Sequence, residues 1–360
     1  MAHTESHAPS TTTHQRCLAV LTVRNEGAFL LDWLAHHRAV GFNSFLVFSN
    51  NCQDGTDAML DRLQKLGWVT HLRNDGPYHE RGIQFTALKT AQKHPLVHEA
   101  DWILPLDIDE YVNVKLGSHR LDALFERVPS ATAITLTWRL FGNNGAQRFE
   151  DLPITQRFTH CAPEAINWPW RAVMFKTLYR NDGTYGALGV HRPRRPDTEK
   201  LAHANWVDSS GRPLGESFKT KRIFSDYGRP NYEFVQLNHY PLGDMESYVL
   251  KSDRGRAVHA DDKLGMDYWV ERNFNTVEDT SILALADAAA IFKAKLMADD
   301  VISHLHNAAV AWRKSRFEHL MEQDHYRSLY GRLLMSGSSR QVTVQEAKFM
   351  INFALRGSDS

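Results

Sequence analysis

Trp102-Ile103-Leu104-Pro105-Leu106-Asp107-Ile108-Asp109-Glu110-Tyr111 is an apolar run that ends on two acids spaced two residues apart. Five apolar residues without alternation fit a strand buried on both faces, as in the middle of a parallel sheet. On an extended segment residues two apart point the same way, so Asp107 and Asp109 are expected to converge just past the strand's end. Open α/β sheets bind ligands beyond the carboxyl ends of their strands, where this pair would lie. Pro105 cannot donate to a ladder, so the strand is expected to be irregular or open on one side there.

Working back towards the N-terminus, the same pattern repeats. Leu18 to Val23 is a second continuous apolar run, and a helical stretch with Leu30, Trp33 and Leu34 on one face follows it, stopped near Gly41. Phe45 to Phe48 is the next strand. Thr56 can cap a helix whose Met59, Leu63 and Leu66 share a face, ended by Gly67. Trp68 to Leu72 is a further strand, and residues 80 to 93 a further helix. Strands separated by helices of this length specify a mainly parallel α/β sheet flanked by helices. Working forward, residues 139 to 235 are rich in Gly, Pro, Asn and Arg with short strand-like pieces such as Val173 to Tyr179, and the chain beyond about residue 240 turns helical. A helical C-terminal extension packed on the sheet, or on a second subunit, is expected.

Three strand ends carry polar clusters: Thr22-Val23-Arg24-Asn25-Glu26, Ser49-Asn50-Asn51-Cys52-Gln53-Asp54-Gly55-Thr56, and the Asp107/Asp109 pair. Each alone reads as a cap and turn; together they form one rim. Paired carboxylates repel, raising one pKa, unless a cation or hydrogen bonds come between them. Mg²⁺ or Mn²⁺, hard ions that take oxygen ligands, answers that need and neutralises a diphosphate as well.

Composition sets the outer limits. Hydrophobic residues make up 42% and charged residues 23% of 360, and Lys+Arg and Asp+Glu balance at 42 each. A net charge of zero offers no basic nucleic-acid footprint, so nucleic acid is not an expected partner. Cys17, Cys52 and Cys161 show neither metal-ligand spacing nor a disulfide framework. Residues 1–16 are polar and read as a disordered leader rather than a signal peptide. No run reaches the roughly 18 apolar residues of a membrane span. A cytoplasmic protein is expected, with peripheral attachment to the inner face of the membrane left open.

The motifs resemble those of family 2-type glycosyltransferases, in the branch whose first motif is Arg-Asn-Glu. The likeness rests on Arg24-Asn25-Glu26, on Asp107-Ile108-Asp109-Glu110-Tyr111, on Trp138 to Gly145, and on Asn238-His239-Tyr240 with Lys251-Ser252 and Arg254-Gly255. It implies a GT-A (Rossmann-like) domain over 17–260, with a nucleotide-sugar half at 17–145 and an acceptor half at 146–260, before a helical region at 261–360. It further implies that Thr22, Arg24 and Glu26 line the nucleotide pocket, that Asn50 and Asp54 reach base or ribose, and that Asp107 contacts ribose or metal. Asp109 would be the principal metal ligand. Many members carry two acids where this chain has Ser49 and Asn50, but Asn can hydrogen-bond a uracil edge as donor and acceptor. The activity implied is inverting transfer of a sugar from a nucleotide-diphosphate donor, a UDP-sugar, to a glycan, lipid or protein.

His239 ends a short apolar stretch and is expected to complete the metal site, since imidazole suits Mn²⁺ and a six-coordinate ion has room for it. A histidine hydrogen-bonded within the core is the alternative. Lys251 and Arg254, three apart on a helix, would face the diphosphate together. For the catalytic base, Glu164 and His191 lie in the loop-rich segment, though a solvated Glu and a hydrogen-bonded structural His are the favoured readings of the two. Trp168 and Trp170 could stack on an acceptor sugar or simply pack. His191-Arg192-Pro193-Arg194-Arg195 could hold an anion or be a solvated loop. The C-terminal helices are candidates for homo-oligomer contacts. Two other functions are weighed: a nucleotidyl- or phosphotransferase using the same acids, disfavoured because no Gly-rich phosphate cradle follows the first strand, and a non-catalytic carbohydrate-binding protein, against which the intact Asp107/Asp109 pair argues.

Overall fold

The computed structural model describes residues 15–80, 82–255 and 264–357. Of the leader expected over residues 1–16, residues 1–14 lie outside these, as does the boundary expected near 260. Arg16 is tied to the domain: its backbone N–H donates to Asp101 at 2.7 Å.

Cys17–Val23 (β1), Ser44–Ser49 (β2), Thr70–Arg73 (β3) and Trp102–Leu106 (β4) run parallel in the order β3-β2-β1-β4. Gly27–Val40 (α1), Thr56–Lys65 (α2) and Ile83–Ala91 (α3) lie between them in the chain. Burial follows the apolar periods closely. In α2 Met59 and Leu63 are buried as expected, but Leu60 takes the third place while Leu66 stands 40% exposed. Leu66 falls one residue past the helix end, where Gly67 turns the backbone away at φ +76°. Pro105 sits in register with Val20 of β1.

The chain then makes Glu110–Val114 (β5), Ala133–Leu140 (β6), Phe175–Arg180 (β7) and Val235–His239 (β8). The nine-stranded sheet continues β4-β7-β6-β8-β5, with Trp206–Val207 alongside β6. β7 pairs with β4 only through Trp102 and Ile103, so the side of β4 away from β1 is open at Pro105. β6 hands the ladder on: Ala133 to Thr137 pair antiparallel with β7, and Trp138 to Leu140 pair parallel with β8.

This order forces a curl. Four peptide steps from Leu106 to Glu110 span at most about 14 Å. A flat sheet would separate β4 from β5 by four strand spacings, about 19 Å. The sheet therefore bends round between β4 and β5, and the chain crosses in a turn closed by the Glu110 N–H on the Asp107 carbonyl at 3.1 Å. Asp107 and Asp109 thus occupy a turn rather than the extended segment expected from the sequence.

The C-terminal part is helical as expected: Met245–Arg254 (α4), Ala286–Met297 (α5), Asp300–Met321 (α6) and Asp324–Met335 (α7), with Val344–Gly357 last. α5 and α6 pack over α1, which explains why Leu30, Leu31, Trp33 and Leu34 are all buried rather than one stripe of them. Lys293 of α5 pairs with Asp32 of α1 at 2.8 Å, and Arg62 of α2 pairs with Asp299 at the start of α6. At the start of α1 only glycine fits, because a Cβ on Gly27 would lie 2.7 Å from the Ala309 Cβ of α6. No helix of the described residues is long and apolar enough to cross a membrane.

Candidate functional site

The turn at 107–109 opens on a cavity of about 260 Å³ at the carboxyl ends of β1, β2 and β4. β1 contributes Thr22, with Arg24 and Glu26 from the turn after it; Asn50 comes from the end of β2. Asp107 and Asp109 form the floor, and His191, His239, Lys251 and Arg254 close the far side. The sequence-predicted residues that stand apart are Asp54 and Glu164. Asp54 faces inward and accepts from the backbone N–H groups of Gly27 and Thr56, both at 2.9 Å, fixing the starts of α1 and α2. Glu164 is 54% exposed and lies 3.6 Å from Arg139. Trp168 and Trp170 pack against each other at a tilt, 5.3 Å between centroids, away from this lining.

Each acid of the pair has its own lysine. Asp107 accepts from the Lys176 ammonium at 2.9 Å and from the Gln84 amide at 2.7 Å, so both its oxygens are engaged. Asp109 accepts from Lys251 at 2.7 Å. Burial alone would raise the Asp109 carboxyl and depress the two lysines. The ion pairs win: Asp109 falls far below the usual carboxylate range, and Lys176 and Lys251 stay above the ordinary lysine value. Glu110 goes the other way. It is fully buried, and burial with the nearby charges of Asp107 and Asp109 pushes it up to about 8 despite Lys176 at 3.4 Å. Trp138 Nε1 and the Asp107 N–H donate to its two oxygens at 2.6 and 2.8 Å, which locks the turn to β6.

His239 is the last residue of β8, in register with Glu110 of β5. Its ring lies on Trp138 at 4.2 Å between centroids, and Nε2 is 3.7 Å from Asp109 Oδ1. Nδ1 is buried without a hydrogen-bond partner. Burial lowers the pKa and keeps the imidazole neutral. His191 is lowered by burial to about 4. Its Nδ1 is 3.0 Å from the Phe175 carbonyl, which can only accept; Nδ1 therefore carries the hydrogen and Nε2 keeps its lone pair. Arg254 pairs with Glu26 and also donates to the Arg24 carbonyl at 2.9 Å, tying α4 to the first polar strand end.

The residues present fit a divalent ion in part. Asp109 and His239 face each other across a gap with an orphaned ring nitrogen behind it, whereas Asp107 has both oxygens taken. Among the described residues no three His, Cys, Asp or Glu groups gather closely enough to hold an ion unaided. Chemically the cavity offers a cationic lining of Arg24, Lys251 and Arg254, with Lys176 buried behind Asp107, an amide at Asn50, and a neutral imidazole.

Gln84, Lys176 and Trp138 do work that no local pattern announces. Lys176 lies near the start of a buried strand whose other cation, Arg180, stands at its far end, and its partners sit 69 and 66 positions away in the chain. A fully buried position taken by a charge was the one available signal.

No family model matches the chain. It is 22% identical over 151 residues to a glycosyltransferase family 92 protein of Ricinus communis, which covers 41% of this chain and 26% of that protein. It is 21% identical over 150 residues to a glycosyltransferase family 92 protein of Oryza sativa subsp. japonica, covering 41% and 24%. The chain thus spans about a quarter of the length of the curated relatives it matches. Among solved structures it is similar to S. aureus TarS (13% identity, TM-score 0.32, 66% of this chain and 38% of that one). It is similar also to TarS 1–349 in complex with UDP-GlcNAc (11%, TM-score 0.30, 88% and 78%). A third is the galactosyltransferase LgtC in complex with donor and acceptor sugar analogs (16%, TM-score 0.22, 33% and 46%). The curated relatives carry the name of family 92, where the motifs resemble family 2; glycosyltransferase is what the two have in common.

Proposed function

We propose that this chain is a glycosyltransferase that moves a sugar from a nucleoside-diphosphate donor, a UDP-sugar, to a hydroxyl of a glycan, lipid or protein acceptor. The observation that carries the reading is convergence. Polar residues from three strand ends and from α4 line one cavity with three cations in it, Arg24, Lys251 and Arg254. In that cavity Asn50 takes the base edge, while Arg24, Lys251 and Arg254 take the diphosphate charge. Asp109 and His239 would hold Mn²⁺ or Mg²⁺ against the diphosphate. When bound, such an ion supplies Lewis acidity to the departing group. Lys176 pairs with Asp107 and aims it at the ribose. His191, neutral with a free Nε2, is positioned to take the acceptor proton as the hydroxyl attacks the anomeric carbon from the face opposite the diphosphate, which inverts that centre. Glu164, outside the cavity, takes no part in this step.

A thermal-shift panel of nucleotide sugars with and without Mn²⁺ tests the reading, because a ligand bound to the native state raises its apparent stability. Uridine donors should raise the midpoint more with metal than with EDTA. A shift confined to other bases, or absent for every nucleotide, sinks the donor assignment.

A further inference from the structure

A second cavity of about 70 Å³ adjoins the first, and α6 forms one wall of it through Trp312, Arg313 and Arg316. The two cavities share Asp109, Lys251 and Arg254, so they meet where the reacting atoms of a bound donor would lie. Two arginines of the smaller cavity have acids of their own. Arg254 pairs with Glu26, and Arg316 makes a forked pair with Asp253 at 2.8 and 3.0 Å.

Arg313 is different. It is 8% exposed, and its Nε has no hydrogen-bond partner. The guanidinium lies over the rings of Phe29 and Phe149, at 4.6 and 5.0 Å. Stacking satisfies the flat faces of a guanidinium but not the donors on its edge. The carboxylates within electrostatic reach are Asp244, Asp54 and Glu246, and all are engaged elsewhere. Asp244 caps α4 and pairs with Arg157, Asp54 holds the start of α1, and Glu246 accepts from the Phe149 N–H. A buried cation that stays charged and lacks an acid is costly unless an anion completes it. Arg24 and Arg313 also repel Arg254, so an anion between Arg313 and Arg254 would relieve that repulsion.

We propose that Arg313, with Arg254 beside it, forms an anion subsite for a phosphate or carboxylate group on the acceptor. The acceptor is then an anionic glycan or polyol rather than a neutral one. The volume suits one such group, and Phe29, Leu250 and Trp312 offer apolar walls to the carbon skeleton next to it. The word acceptor rests on the function proposed above; the anion site itself does not.

Titration calorimetry of the full chain, with and without saturating UDP and Mn²⁺, tests it with four probes: glycerol 3-phosphate, glucuronate, glycerol and glucose. A charged probe should bind at least about tenfold tighter than its neutral counterpart, and more weakly as salt rises. Whether phosphate or carboxylate is preferred distinguishes the two sources. Arg313→Met should lose about tenfold for the charged probe with UDP affinity unchanged, and Arg313→Lys should recover part of it. Equal binding of charged and neutral probes by the wild-type chain overturns the proposal, whether or not the variants fold. So does wild-type-like anion binding by a folded Arg313→Met. Absence of UDP binding with anion binding intact would remove the donor reading and leave the subsite standing.

Discussion

Lys176 and Lys251 each hold one acid of the Asp107-Ile108-Asp109 turn, and they differ in what they protect. Lys176 is fully buried between Asp107 and Glu110, so deleting its charge leaves Glu110, which cannot reach water, without its cation, while Asp107 stays partly exposed. Glu110 makes the cost depend on pH. Its carboxyl is already pushed up to about 8, and an acid raised on folding loses stability as pH climbs from its unfolded to its folded value. Without Lys176 the carboxyl would be pushed up further and the pH window of that loss would widen. Lys176→Met should cost about 3 kcal/mol in urea unfolding at pH 9 and less at pH 6, where Glu110 is protonated. An equal cost at both pH values would mean that Glu110 does not feel the lysine. Asp109 and His239 stand at the other end of the turn. Asp109→Asn keeps the shape but removes the charge that faces Lys251 and His239, so it should weaken nucleotide binding and also lower stability by leaving Lys251 unpaired.

Among elements, α1 shows most clearly how sequence and structure part company. Leu30, Trp33 and Leu34 mark its buried face, and the period found them. Leu31 is buried too, because α5 and α6 cover the side that a two-layer sheet domain would leave wet, and His36 and His37 are buried against Tyr111 and Val112 of β5. Nothing within α1 signals helices that arrive about 260 residues later. The same contact makes Gly27 a checkpoint: Gly27→Val would drive a branched side chain into Ala309 and push α6 off α1. Overpacking of this kind costs about 1–3 kcal/mol. The expected result is a lower Tm, partly restored by Ala309→Gly in the same chain. No rescue would place the strain elsewhere. The turn at 107–109 is the converse case. Spacing placed Asp107 and Asp109 at a strand end, and the structure agrees. The extended backbone assumed for them fails because the chain must cross to the far edge of a curled sheet, a demand set by the partners of β5 and β8.

For the whole molecule, burial of neutral histidines sets the acid limit. His36 and His191 are lowered by burial to about 4, and His37 and His239 are lowered as well. Unfolded histidines titrate near 6.5, so between about 4 and 6.5 the unfolded chain binds more protons than the native one. Stability must then fall as pH drops through that window, by as much as about 1.4 kcal/mol per pH unit for each such histidine. Denaturation midpoints measured from pH 7.5 to 4.5 should decline steadily below 6.5; a flat profile would show these rings to be solvated. The candidate site is assembled on the same scale. The polar strand ends were legible because each follows an apolar run closely. Asp54 resembled them in sequence yet turned inward, since a carboxylate two residues before a helix start meets free backbone N–H groups first. Gln84, Lys176 and Arg313 were not legible, because each gains its meaning from a partner brought close by folding alone.

The central claim is that this lining binds a nucleoside diphosphate with a cation held at Asp109 and His239. The most direct test is calorimetric titration of UDP into the full chain, once with Mn²⁺ and once with EDTA, alongside Asp109→Ala. The account predicts at least about tenfold tighter binding with Mn²⁺, worth about 1.4 kcal/mol, and loss of that difference in the variant. Equal affinity in both buffers, or a metal effect that survives Asp109→Ala, would contradict it.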